Sequence, residues 1–182
     1  MRLPRTLAHP ERMRIGRDVK IGPNSELKCQ IAYPGGWMRH PDGTHVEQRF
    51  DPCLTIGDRV TATRSLQVLV FDSVTIEDDV MFAGNVFVAD GTHALATAEV
   101  PFKYQGVGRV APIRIGRGSW IGQNVVIMPG VSIGAHAIVG ANSVVTRDVP
   151  AQAIAVGAPA RVVRTWDQVS STWQRGFDRE GT

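Results

Sequence analysis

The chain has 182 residues, 43% hydrophobic and 20% charged, enough for one domain with a real core. A formal net charge of +3 falls well short of a polybasic arm, so charge alone selects neither nucleic acid nor an anionic small ligand. Nineteen glycines and eleven prolines, spread regularly along the chain, mark many turns between short elements rather than disorder.

The stretch from Met1 to Pro10 carries charge but no apolar signal core, and no apolar run approaches membrane-spanning length. A cytoplasmic protein is expected. Cys29 and Cys53 form no Cys-x-x-Cys pair, and two isolated thiols make neither a metal nor a disulfide framework. Buried thiols in a reducing compartment are the expectation.

A six-residue period begins at Ile15, Ile21 and Leu27, with Gly16 and Gly22 after the first two. It breaks at about residues 33–55, where Pro34-Gly35-Gly36 and Pro41-Asp42-Gly43 mark a loop. Ile56, Ala62 and Val68 resume it, and Ile76, Phe82 and Val88 follow after a two-residue slip near Asp72. A second break covers about residues 89–112. From Ile115 the period runs cleanly through Ile121, Ile127, Ile133, Val139 and Val145. Four places beyond each of these stands a small or β-branched residue: Ser119, Val125, Val131, Ala137, Ser143 and Val149. Isoleucine, leucine and valine fill about a quarter of the chain, so six successive hits by chance are on the order of one in several thousand.

A helix repeats every 3.6 residues and a two-sided strand every 2, so six fits neither. Six is the spacing of one flat face of a parallel β-helix, in which a short strand ends in a turn. The aliphatic residue points inward, the residue four places on fills the corner, and stacked coils bury a continuous ladder. Insertions in such a solenoid emerge as loops, and such loops commonly carry function. Beyond Pro150 the period fades, and Trp166, Val169, Trp173 and Phe177 recur at helical intervals. A short C-terminal helix packed on the prism is predicted there.

The run from Ile115 to Gly134, Ile-Gly-Arg-Gly-Ser-Trp-Ile-Gly-Gln-Asn-Val-Val-Ile-Met-Pro-Gly-Val-Ser-Ile-Gly, resembles the hexapeptide-repeat acyltransferases. So do Val144-Val-Thr-Arg-Asp-Val-Pro and Val156-Gly-Ala-Pro-Ala-Arg-Val-Val-Arg. The pattern is most similar to the maltose and galactoside O-acetyltransferases and the sugar acetyltransferases of polysaccharide biosynthesis, and covers about residues 56–164. The resemblance implies an all-β, left-handed parallel β-helix over residues 1–165, with a C-terminal helical tail over 166–182. It also implies a cytoplasmic homotrimer with active sites between subunits, using acetyl-CoA or another acyl-CoA as co-substrate, with no metal, membrane span or nucleic-acid partner. The expected reaction moves the acetyl group to a hydroxyl or amine of a sugar or nucleotide-sugar.

Such an acceptor is a poor nucleophile near neutral pH until a general base takes its proton. The resemblance assigns that task to His93, in Val88-Ala-Asp-Gly-Thr-His, immediately before the second loop. Asp90, three residues upstream, is a candidate to hold the imidazole or the acceptor, or else forms a turn. On the donor side the resemblance places Trp120 at the coil wall near the acyl-pantetheine groove, and Gln123 with its backbone N–H toward the thioester carbonyl. Ala141 matches a residue whose backbone contacts the pantetheine arm. Thr146 and Arg147 match a Thr-Lys pair beside the nucleotide end, arginine keeping the charge but not the geometry of lysine. Arg161 and Arg164 are candidate phosphate partners. Phe102, Tyr104 and Gln105, in the second loop, are expected to shape the acceptor site of a neighbouring subunit.

Two other readings use the same fold. The γ-class carbonic anhydrases hold zinc with three histidines, two of them spaced His-x-x-x-x-His, and His40 and His45 have that spacing. They lie in the first insertion, however, and precede His93, whereas that family's lone histidine precedes its pair. A non-catalytic scaffold is the second reading, and its mark would be loss of the loop histidine. His9 and His136 read as structural.

Overall fold

A computed structural model describes residues 6–33 and 39–175. Within them the six-residue period becomes a left-handed parallel β-helix of three flat faces. Three strands close one coil, so Trp120 lies beside Ile138 and Val126 beside Val144, eighteen positions on. Each rung is joined to the next by amide-to-carbonyl bonds, such as Gly116 N–H to Ile133 O (2.7 Å) and Gly122 N–H to Val139 O (2.8 Å).

The first face stacks Thr6–Ala8, Glu26–Cys29, Gln67–Val70, Phe87–Ala89, Val126–Ile127 and Val144–Val145. The second stacks Met13–Ile15, Cys53–Ile56, Ser73–Ile76, Ile113–Ile115 and Ser132–Ile133. The third runs from Lys20–Ile21 through Thr61–Arg64, Met81–Gly84, Trp120–Ile121 and Ile138–Val139 to Ala153–Gly157. One middle coil is longer by two residues: Cys53 pairs with Ser73 and Gln67 with Phe87, each twenty positions on. The slip near Asp72 is this lengthening, with Phe71 and Asp72 forming the corner between Gln67–Val70 and Ser73–Ile76.

The inward residues form three aliphatic columns. Leu27, Val68, Val88, Ile127 and Val145 line one face; Ile56, Ile76, Ile115 and Ile133 the next; Ile21, Phe82, Ile121 and Val139 the third. All are buried. The corner residues Ser119, Val125, Val131, Ala137, Ser143 and Val149 are buried as well. A serine survives there because its hydroxyl donates to a carbonyl, Ser119 to Gly134 O (2.9 Å) and Ser143 to Gly140 O (2.7 Å). Ile15 stays 40% exposed because its strand is the edge of the second face.

The three corners differ. Between the third and first faces, Asn24, Ser65, Asn85, Asn124 and Asn142 turn the chain with φ of 52–59°. Asparagine tolerates this left-handed backbone, and the side chains of Asn85, Asn124 and Asn142 link in series at 3.2 and 2.9 Å. Between the second and third faces the turning residues include Asp18, Arg59, Asp79 and His136, and Arg59 grips Asp79 through two bonds of 2.7 Å. Between the first and second faces, both insertions leave the prism. Each opens with an antiparallel ribbon: Ala32–Tyr33 with Gln48–Arg49, and Gly91–His93 with Val107–Val110.

The predicted C-terminal helix is corrected by the structure. Ala160–Asp167 and Thr172–Arg175 are strands of an antiparallel hairpin that closes the third face. Trp166 and Trp173, seven apart, sit opposite one another with ring centroids 5.4 Å apart, and Val169 is 95% exposed at the tip. Asp167 makes the turn by accepting from Val169 N–H (2.9 Å) and the Ser170 hydroxyl (3.0 Å). A spacing of three and seven suits a helical stripe, but also two residues facing each other across a tight turn. Phe177 lies outside the described residues.

Phe82 is the largest fully buried side chain and stands mid-column. Phe82→Ala should lower stability by about 3–5 kcal/mol, read as a fall in the urea midpoint.

Candidate active site

Glycine at residue 91 leaves room for the Phe71 ring where the chain departs from the prism. A Cβ there would lie 2.5 Å from the Phe71 ring. Asp90, wholly buried, fixes the departure point: its carboxylate accepts from the N–H groups of Phe71 (2.7 Å) and Asp72 (2.9 Å). Its own carbonyl accepts from Ala111 N–H (2.8 Å), which fastens the returning end of the loop. Burial pushes the Asp90 carboxyl above the ordinary aspartate range, and the two amide bonds pull against that shift. The expectation that Asp90 holds the imidazole or the acceptor is therefore corrected. Both of its oxygens serve the tight corner one coil below.

His93 stands at the end of the departing strand, exposed at the mouth of a cavity of about 430 Å³. Thr92, Leu95 and Arg109 line the cavity from the loop, and Met128, Pro129 and Thr146 from the two following coils. Two residues singled out by the resemblance, His93 and Thr146, thus share one cavity. Against the imidazole stands Tyr33, from the first insertion. Its hydroxyl oxygen is 3.4 Å from His93 Nδ1, and the rings meet edge-on with centroids 5.9 Å apart. The same hydroxyl donates to Lys103 O at 2.8 Å.

The two insertions are laced together. The Gln48 amide brackets Val107, accepting from its N–H (2.7 Å) and donating to its carbonyl (2.8 Å). The His40 ring packs on Tyr104 at 4.8 Å, and Lys103 Nζ stands 4.7 Å from that ring's centre. Phe50 meets Phe71 edge-on at 5.0 Å. The separation of these residues in sequence hides the contacts, which is why Tyr33 and Arg109 escape a reading based on repeats.

Gln105 requires a second correction. Its carbonyl oxygen accepts from Ala96 and Thr97 N–H (2.8 and 3.1 Å), and its Nε2 donates to Thr97 and Val100 carbonyls (2.8 and 2.6 Å). The amide organises its own loop and has no capacity left for an acceptor. Phe102 and Tyr104 lie in a short helical turn beside it, Phe102 half exposed.

The other donor-side candidates occupy other places. Trp120 lies on the third face, 45% exposed. Gln123 and Ala141 stand one coil apart at the corner between the third and first faces, where Gln123 O accepts from Asn142 N–H (2.8 Å). Thr146 and Arg147 follow the last first-face strand, at the corner His93 occupies two rungs earlier. Arg161 and Arg164 are exposed on the closing hairpin. His40 and His45 face Asp42 (3.7 Å) and Glu47 (2.9 Å) in their own loop. Among the described residues, no three His, Cys, Asp or Glu side chains converge as a metal site, and no helix is long and apolar enough to cross a membrane.

A profile of the bacterial transferase hexapeptide family (six repeats) matches residues 112–147. A probable acetyltransferase of Mycobacterium tuberculosis is 32% identical over 150 residues, 82% of this chain and 49% of that protein. The galactoside O-acetyltransferase of Escherichia coli is 38% identical over 109 residues, 60% of this chain and 52% of that protein. The chain thus spans about half the length of these two relatives. A hexapeptide-repeat acetyltransferase of Vibrio cholerae, crystallised with acetyl-coenzyme A, superposes with a TM-score of 0.66 at 27% identity, over 87% of this chain and 74% of that one.

The raised carboxyl of Asp90 has a measurable sign. Its share of stability is complete below the ordinary aspartate value of 3.8 and is lost as pH rises through the raised folded value. The difference in denaturation midpoint between the native chain and Asp90→Asn should therefore shrink as pH rises through that window. A difference that stays flat would show that burial does not shift the group.

Proposed function

We propose that this chain, which belongs to the hexapeptide-repeat acyltransferase family, transfers an acetyl group from acetyl-coenzyme A to a hydroxyl or amine of a sugar-type acceptor. The observation that carries this reading is the meeting of His93 and Thr146 across one cavity, where the second insertion rejoins the repeats. An imidazole at the mouth of that cavity is placed to take the acceptor's proton as its oxygen or nitrogen attacks the thioester carbonyl carbon. Negative charge then gathers on the carbonyl oxygen, where a backbone N–H, assigned to Gln123, would meet it. When the carbonyl re-forms, the C–S bond breaks, the acetyl group stays on the acceptor and coenzyme A leaves as its thiol. The proton held by His93 supplies that sulfur. No covalent acyl-enzyme is needed.

Donor recognition in this reading extends along Trp120, Ala141 and Arg147 toward Arg161 and Arg164, whose guanidinium groups suit phosphate. Trp120, Gln123 and Ala141 border a different edge of the prism from His93. A cleft between two prisms, one offering each edge, would place both beside a single donor. A closed ring of three copies would form that cleft three times. The apolar Leu95, 78% exposed beside His93, suits a position at such an interface. Phe102 and Tyr104 then face the acceptor.

Thiol release from acetyl-coenzyme A should depend on an acceptor drawn from a panel of sugars and nucleotide-sugars. His93→Ala should lose about 10²–10⁴-fold in rate while keeping coenzyme binding. Release that persists undiminished in that variant would remove His93 from the mechanism, and absence of release with every acceptor would favour a binding scaffold. Light scattering on the purified protein should give three times the 19.8 kDa chain mass; a monomer would contradict the shared cleft.

A further inference from the structure

We propose that Tyr33 is a positioning residue that biases His93 toward the Nδ1–H tautomer and so leaves Nε2 bare to act as the base. The inference rests on the reading of His93 as a base, and it gives the first insertion a task in the chemistry.

The argument begins with counting protons. A neutral phenol has one proton and two lone pairs, and burial pushes the Tyr33 hydroxyl above its ordinary range, which keeps it neutral. The Lys103 carbonyl, 2.8 Å away, can only accept, so the single phenolic proton points there. What Tyr33 turns toward His93 Nδ1 is therefore a lone pair, at 3.4 Å. A bare Nδ1 would set lone pair against lone pair. The contact is attractive only when Nδ1 carries the hydrogen and donates it. A neutral imidazole carries one N–H, so Nε2 is then unprotonated. At 3.4 Å the bond is a long one, so it biases the tautomer rather than locking the ring.

The geometry that holds the two groups together closes on itself. Tyr33 pairs with Gln48 in the first ribbon. The Gln48 amide clasps the backbone of Val107 through both of its polar groups. Val107 in turn pairs with His93 in the second ribbon. Tyr33, Gln48, Val107 and His93 thus form a ring of four contacts, three of them anchored on backbone. The phenol is placed by this ring, and so the first insertion reaches the imidazole.

The test uses the full-length protein labelled with ¹⁵N-histidine. Long-range ¹H–¹⁵N spectra, taken where histidine is neutral, distinguish the two tautomers by the chemical shifts of the ring nitrogens. The His93 signals are identified by their loss in His93→Asn. In the native protein His93 should show a protonated Nδ1 and a bare Nε2. Tyr33→Phe keeps the ring and its edge contact but removes the oxygen; it should shift His93 toward the Nε2–H form. It should also lower kcat on the order of tenfold, with KM for both substrates within about twofold. Lys103→Ala keeps the accepting carbonyl and should leave the tautomer as it is. An Nε2–H imidazole in the native protein, or an unchanged tautomer in Tyr33→Phe, would overturn the proposal. The spectra decide this without turnover, whereas failure of the acyl-transfer reading would show as absent thiol release whichever tautomer is found.

Discussion

The amide-to-carbonyl bond between one coil and the next is the constraint on which this molecule depends. Many of its strands are two residues long, far too short to persist alone. Those inside the stack survive because both edges are paired, and because each inward side chain sits between aliphatic neighbours in the coils before and after. Hydrogen bonding fixes the spacing of the rungs, and the buried columns fix the register. A slip of one residue would turn a whole column toward solvent. The left-handed asparagines at one corner and the aspartate–arginine grips at another follow from that register, since only a stacked corner brings identical turns into reach of each other.

Upon this scaffold the candidate site combines two kinds of support. Met128, Pro129 and Thr146 are held by the rungs themselves. His93 is held by a loop that is fastened at its base through Asp90 and along its length by the first insertion. The fastening at the base uses a buried carboxylate with two backbone donors, an arrangement that is stable only because both of its oxygens are satisfied. The lacing along the length consists of side chains reaching across from one insertion to the other, and it brings the phenol to the imidazole. Rigidity at the rungs and adjustable contacts in the loops suit the proposed acyl transfer, which would grip one donor and distinguish among acceptors.

How much of this the residues declared in advance can be judged case by case. The period of six exposed the coils, the inward columns and both insertions, because each rung repeats the same local demand. The lengthened coil near Asp72 was visible as a slip in that period. His93 and Thr146 were found through the family resemblance, one at the start of the second loop and one just after a repeat strand. Other features depend on partners far away in sequence and leave no periodic trace. Tyr33 is sixty positions from His93, and Gln48 fifty-nine from Val107. Asp90 and Gln105 looked available for chemistry because a sequence does not show which polar groups are already spent on nearby backbone. The tail misled for a different reason: the interval between Trp166 and Trp173 satisfies a helix and a hairpin alike, and only the turn made by Asp167 separates them.

The constant rise from rung to rung also makes the prism a measuring rod. His93 leaves from the rung of Phe87–Ala89 and Thr146 from that of Val144–Val145, with Val126–Ile127 between them. Two strand spacings, roughly 10 Å, therefore separate the two positions along the axis. Extra coils beyond Thr146 would leave that interval untouched, while one coil added between would stretch it by roughly 4.8 Å, about half its present length. Loop length is free to vary at this edge, but the number of rungs between those two residues is not, and the distance is written in whole coils.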